Sequence, residues 1–206
     1  AALVAGTAMA VLAAGNGASR SDVGRLLLSS LEALLPLALG MAAVTVVARD
    51  GCRELQLTLP TRYAGTLGRR LGVLVGFGAL LALLYSAGLW LADWWTGPDP
   101  LAAPLVWAPP TLWLTALAVL LGLLGRSVVV ATTGIAAVWL GEQLFAATLA
   151  GTPWARPFFL FATTRVGVGD GWWTNRLALS VTGAIFVVAV VVLLRRPQLL
   201  LTEEEV

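Results

Sequence analysis

Two carboxylates stand among apolar neighbours: Glu32 in "LLLSSLEALLPLALGMAAVTVVA" and Glu142 in the run 127–150. A charge at mid-bilayer depth costs at least ~2.5 kcal/mol on insertion scales. Each acid must therefore either line a polar pathway or be neutralised by a nearby arginine such as Arg25 or Arg156, or reach the interface. In the orientation derived below, both lie about two turns below the outer ends of their helices. Equal depth would let them line one outward-facing vestibule as pathway or gate residues, shared with Gln143, Ser29 and Ser30.

Other chemistry is excluded by what the chain lacks. Histidine and lysine are absent, and Cys52 is the only cysteine. Without histidine there is no bis-histidine haem, His-ligated zinc, HExxH protease or Ser-His hydrolysis. Without lysine there is no retinal Schiff base and no GxxxxGK[ST] phosphate loop. One cysteine closes no internal disulfide. No catalytic residue, cofactor or metal is expected in this chain.

The elements that must position the two acids are set by composition. The chain has 206 residues, 59% hydrophobic and 12% charged, with a net charge of +2. Its mean hydropathy is +0.88. A soluble domain runs nearer half apolar and a quarter charged. The pattern predicts an all-α polytopic membrane protein forming one transmembrane domain over 1–206. A net charge of +2 gives no reason to expect nucleic acid as a partner. Six spans are read at about 1–15, 26–48, 71–93, 105–125, 127–150 and 177–194. The first is short and reads as a truncated or trimmed span, since it lacks the positive flank of a signal peptide. Pro109 and Pro110 are placed near the start of the fourth, where a missing N–H costs least. The stretch "PFFLFATT" (157–164) is too short to span and suits a re-entrant or interfacial piece.

All 13 basic residues are arginines. With the 49–70 loop in the cytoplasm, arginines 49, 53, 62, 69, 70, 126, 195 and 196 fall inside. Arginines 20, 25, 156, 165 and 176 fall outside. This bias places both termini in the cytoplasm. The tryptophan-bearing "DWWTGPDP" and "GDGWW" then lie at the outer interface.

The loop "RDGCRELQLTLPTRYAGTLGRR" (49–70) is both basic and leucine-bearing. Pro60 divides it, and Thr61 can cap a helix running into the third span. Two readings stay open on physical grounds. The loop presents a surface to a partner, or it lies on anionic lipid with its arginines at the headgroups. Gly68, Gly72 and Gly76 recur every four residues and make a smooth helix stripe, suited to close packing. Packing inside one bundle is the simpler expectation; an interface with a second chain is the other.

The residues Arg53, Glu54, Leu55, Leu57, Leu59, Pro60, Thr61 and Arg62 resemble the loop between the second and third spans of type-2 ABC transporter permeases. The six spans and the broken segment before the last span are also similar. The resemblance implies a short cytoplasmic coupling helix within 49–66, docking on a separate nucleotide-binding ATPase subunit that carries ATP and Mg. It further implies a second permease subunit, same or homologous, and export of a lipophilic or amphipathic substrate across a bacterial cytoplasmic membrane. Such permeases also begin with a cytoplasmic amphipathic helix, and residues 1–15 do not read as one. The other class of function is a non-transporting membrane scaffold or accessory subunit, which has no reason to present Glu54 and the leucine ridge to an ATPase.

Overall fold

The computed structural model describes residues 1–48 and 63–195. Among these the chain is all-helical, without a strand. Four stretches are long and apolar enough to cross a membrane: Arg20–Val47, Gly65–Leu91, Pro100–Gly125 and Trp172–Arg195. Two of the six expected spans are shorter helices, α1 (Ala2–Gly15) and α6 (Val128–Leu144). At 1.5 Å per residue they rise roughly 21 and 26 Å, against a hydrocarbon core of about 30 Å. The fifth expected span does not run on as one helix: after Phe145 it restarts as α7 (Ala146–Gly151).

The second expected span is built from three pieces. Helix α2 (Arg20–Ser29) starts on Ser19, whose hydroxyl accepts the Asp22 N–H. A π-helical turn follows over Ser30–Leu34, closed by the Leu35 N–H donating to the Ser30 carbonyl. Helix α3 (Leu35–Ala48) continues it. Pro36 explains the wide turn. Its ring crowds the carbonyl four residues back, that of Glu32, and it has no N–H to offer. A π turn relieves both demands and turns the Glu32 side chain to a new bearing. Helix α1 crosses closely here: a Cβ on Gly6 would lie 2.3 Å from the Ser30 Cβ.

Helix α4 (Tyr63–Leu91) begins eight residues before the expected third span. Helix α5 (Ala103–Gly125) follows a 3-10 turn over Pro100–Ala102. Pro109 and Pro110 therefore sit inside the helix, in its second turn, and not at its start. The expectation fails because the helix starts upstream, at Ala103, with Pro104 in its first turn. The two prolines strip the Leu105 and Val106 carbonyls of their i+4 donors. Helix α9 (Trp172–Arg195) also begins early, five residues before the expected sixth span.

The core lies along α3, α5 and α9. Leu31, Leu35 and Leu39 pack with Ala82, Leu89 and Trp107. Ala43 and Val47 pack with Leu67, Val119, Leu123 and Val190. Helices α5 and α9 meet tightly at Gly183, where a Cβ would stand 3.2 Å from the Trp113 backbone.

Candidate functional site

Between α7 and α9 the chain makes a 3-10 turn (Arg156–Phe158), runs non-helically through Phe159–Phe161, and forms one short helix, α8 (Ala162–Arg165). Phe159, Leu160 and Phe161 are each 1% exposed, packed with Ala33, Leu114 and Leu179. Apolar side chains drive this segment inward, yet a helix break at depth leaves backbone groups without partners. Such backbone is tolerated only where protein satisfies it.

The two buried acids do this. The Leu160 N–H donates to Glu142 Oε2 at 2.7 Å. The Thr163 and Thr164 N–H groups donate to Glu32 Oε1 and Oε2, each at 2.8 Å, and the Thr164 hydroxyl adds a third bond at 2.7 Å. The carbonyl side is met by one amide. Asn175 Nδ2 donates to the Arg156, Pro157 and Phe159 carbonyls at 2.9, 3.1 and 2.9 Å.

Glu32 is fully buried, and its charge is met by Arg176, itself 1% exposed. Arg176 Nη2 donates to Glu32 Oε1 and, at 2.7 Å, to Thr163 Oγ1. Arg176 Nη1 reaches the Val106 carbonyl at 3.3 Å, an oxygen that Pro110 leaves without a helical donor. The guanidinium stands 5.5 Å from the Trp172 ring centre, and the Trp172 indole N–H donates to Thr163 Oγ1 at 3.1 Å. Glu32 thus receives four donors, about as many as an ionised carboxylate can accept. That completeness is what a buried charge requires.

The expected arginine partners are corrected. Arg25 pairs with Asp22 at 2.8 Å, and Arg156 donates to the Asp170 carbonyl at 2.5 Å. Arg176 escaped sequence reading because it was counted in the outer loop, whereas α9 carries it in its second turn. An unpaired acid inside a span was the available signal, since it demands a cation at its own depth.

A crevice of about 640 Å³, apolar over most of its lining, lies between α1, α2, α6 and α8. Ser29 and Gln143 line it with Asp22, Arg25, Thr164 and Arg165; neither glutamate does. Gln143 Oε1 accepts Arg165 Nη2 at 2.8 Å. Ser30 is buried, its hydroxyl donating to the Leu27 carbonyl at 2.6 Å and lying 3.2 Å from the Tyr85 hydroxyl, which can donate to it. The carboxylates share no bond with each other. They hold two points of the same broken segment from two helices, α6 and the π turn.

Gly68, Gly72 and Gly76 lie on α4, and a Cβ on any of them would meet nothing within 4 Å. Among the described residues the stripe is therefore not packed in the bundle. The residues expected to contact an ATPase, Arg53, Glu54, Leu55, Leu57, Leu59, Pro60, Thr61 and Arg62, lie outside the described residues. The chain matches no protein-family model, no curated protein and no solved structure.

Proposed function

We propose that this chain is the permease subunit of a type-2 ABC transporter, exporting a lipophilic or amphipathic substrate. A separate ATPase subunit docks on the loop 49–66 and supplies ATP hydrolysis. The observation that carries the reading is the run Glu54, Leu55, Leu57, Leu59, Pro60, Thr61 and Arg62 between two apolar helices. Four helices long and apolar enough to cross a membrane support it, as does a broken, internally satisfied segment before the last helix. In this reading α1 and α6 complete six crossings, both termini face the cytoplasm of a bacterial cell, and a second permease, same or homologous, closes the pathway.

The test is co-purification of the full chain from its native membrane. The expected companion is a chain with a GxxxxGK[ST] phosphate loop, in equal number to the permease. Purification with membrane proteins that lack such a loop would replace this reading with that of a scaffold subunit.

A further inference from the structure

Five buried polar side-chain atoms among the described residues have no hydrogen-bond partner. Three of them are Trp107 Nε1, Thr111 Oγ1 and Thr115 Oγ1, spaced four residues apart on α5. That spacing stacks them on one face of the helix, about 6 Å apart along its axis. All three residues line the same groove between α4, α5 and α9, of about 910 Å³. The residues are 7%, 3% and 7% exposed.

This ladder breaks the pattern of the other hydroxyls. Thr7, Thr45, Ser86, Thr132 and Thr182 each bond a carbonyl three or four residues back, the usual way to satisfy a hydroxyl away from water. Leaving a buried polar group unpaired is unfavourable, and two successive threonines in that state on one helix face point to a partner outside the chain. The facing wall of the groove includes Gly68, Gly72 and Val75. Its glycines leave width, and the lining is otherwise apolar apart from Ser180 and Arg195. Along α5 the groove runs from Pro104 to Val119, about 22 Å.

We propose that this groove binds an elongated, uncharged lipophile that carries ether, ester, ketone or hydroxyl oxygens along its body. Phospholipids fit poorly: their oxygens gather at one end, and their acyl chains would leave Thr115, three turns into α5, without a bond. The indole of Trp107 only donates, so the ligand presents an acceptor there. All three polar atoms, Trp107 Nε1 included, are covered in the free chain, so binding requires side-chain rotation that exposes them to the ligand. The proposal names a chemical class for the exported substrate and rests on the transport reading for that role; binding itself requires no ATPase.

The experiment measures equilibrium binding of tritiated octaethylene glycol monododecyl ether, a neutral polyether, to the full chain in phospholipid nanodiscs. Tritiated hexadecane serves as the oxygen-free probe. Saturable polyether binding is expected, weakened roughly tenfold or more in the double variant Thr111→Val/Thr115→Val. Hexadecane should bind weakly and equally to both forms. Thermal unfolding of the double variant should match or exceed the parent, because valine keeps the shape and removes buried hydroxyls that bond nothing in the chain. Equal polyether affinity in the two forms, no saturable binding against the surrounding phospholipid, or hexadecane binding as tight as polyether would each overturn the proposal. A destabilised double variant would also overturn it, by showing that the hydroxyls serve the fold. Loss of ATPase co-purification would instead strike the transport reading and leave these binding results standing.

Discussion

Glu32 and Arg176 lie 144 residues apart in the chain and form a buried ion pair, joining the π turn to the second turn of α9. Removing one partner strands the other's charge, which costs about 3–5 kcal/mol in comparable buried pairs. Arg176→Gln should therefore lower the thermal midpoint sharply and cut the yield of folded protein. The double variant Glu32→Gln/Arg176→Gln should be milder, since it buries no net charge and keeps an amide oxygen for the Thr163 or Thr164 N–H. Thermal unfolding in detergent checks the order. A double variant as unstable as Arg176→Gln would show that the charges themselves hold the segment.

Glu142 meets the chain through one backbone bond. Glu142→Ala should leave the buried Leu160 N–H without its acceptor, costing about 1–3 kcal/mol. Glu142→Gln keeps an oxygen in place and should lose much less. Hydrogen exchange at residues 159–161 reads the difference directly: faster in the alanine variant, near parental in the glutamine one.

Gly6 and Gly76 make opposite predictions for the same substitution. At Gly6 an added Cβ would stand 2.3 Å from the Ser30 Cβ, so α1 must move off the π turn. Overpacking of this kind costs typically ~1–3 kcal/mol. At Gly76 the added Cβ meets nothing within 4 Å, and alanine favours the helix by ~0.5–1 kcal/mol. Gly6→Ala should lower the unfolding temperature of the isolated chain while Gly76→Ala leaves it level or raises it.

The loop 49–66 yields an ordered series. Burying a leucine in a partner's cleft is worth roughly 1.5–3 kcal/mol. An interfacial ion pair ranges from near zero to several kcal/mol. Leu55→Asp and Leu57→Asp should uncouple substrate-stimulated ATPase activity more severely than Arg62→Ala, with Glu54→Ala between them. Membrane insertion should be unchanged throughout. Normal turnover in both leucine variants would make the loop a lipid-facing element.

Topology is open to a chemical check. A cysteine engineered beyond Arg196 should react only with a membrane-permeant reagent in intact cells. Reaction with an impermeant reagent would invert the orientation and remove the loop 49–66 from the cytoplasm.

The long helices were legible because apolar runs bounded by Arg, Gly and Pro leave few alternatives. Their ends were less so: Trp172 to Arg176 read as outer loop, because two tryptophans, an asparagine and an arginine lower local hydropathy. That misplacement hid the ion pair. Glu32 and Glu142 stood out as residues with something to explain, but their main partners are backbone N–H groups of Leu160, Thr163 and Thr164, and a main-chain donor leaves no mark in sequence. Asn175 was invisible for the same reason, since it serves three carbonyls. The ladder Trp107, Thr111, Thr115 is visible as a four-residue repeat only after α5 is known to run unbroken through Pro109 and Pro110.

The π turn at Ser30–Leu34 acts as slack taken up in a screw. Each helical residue advances the bearing of the next by about 100°, but a π turn takes up one residue more than an α turn closing on the same ladder, so α2 and α3 keep the bearings of one unbroken helix. Deleting a residue within the turn would let an ordinary helix form with both halves still aligned, while the side chains inside the turn, Glu32 among them, would change bearing. The extra residue thus sets where the carboxylate points, a role that composition and hydropathy leave unmarked.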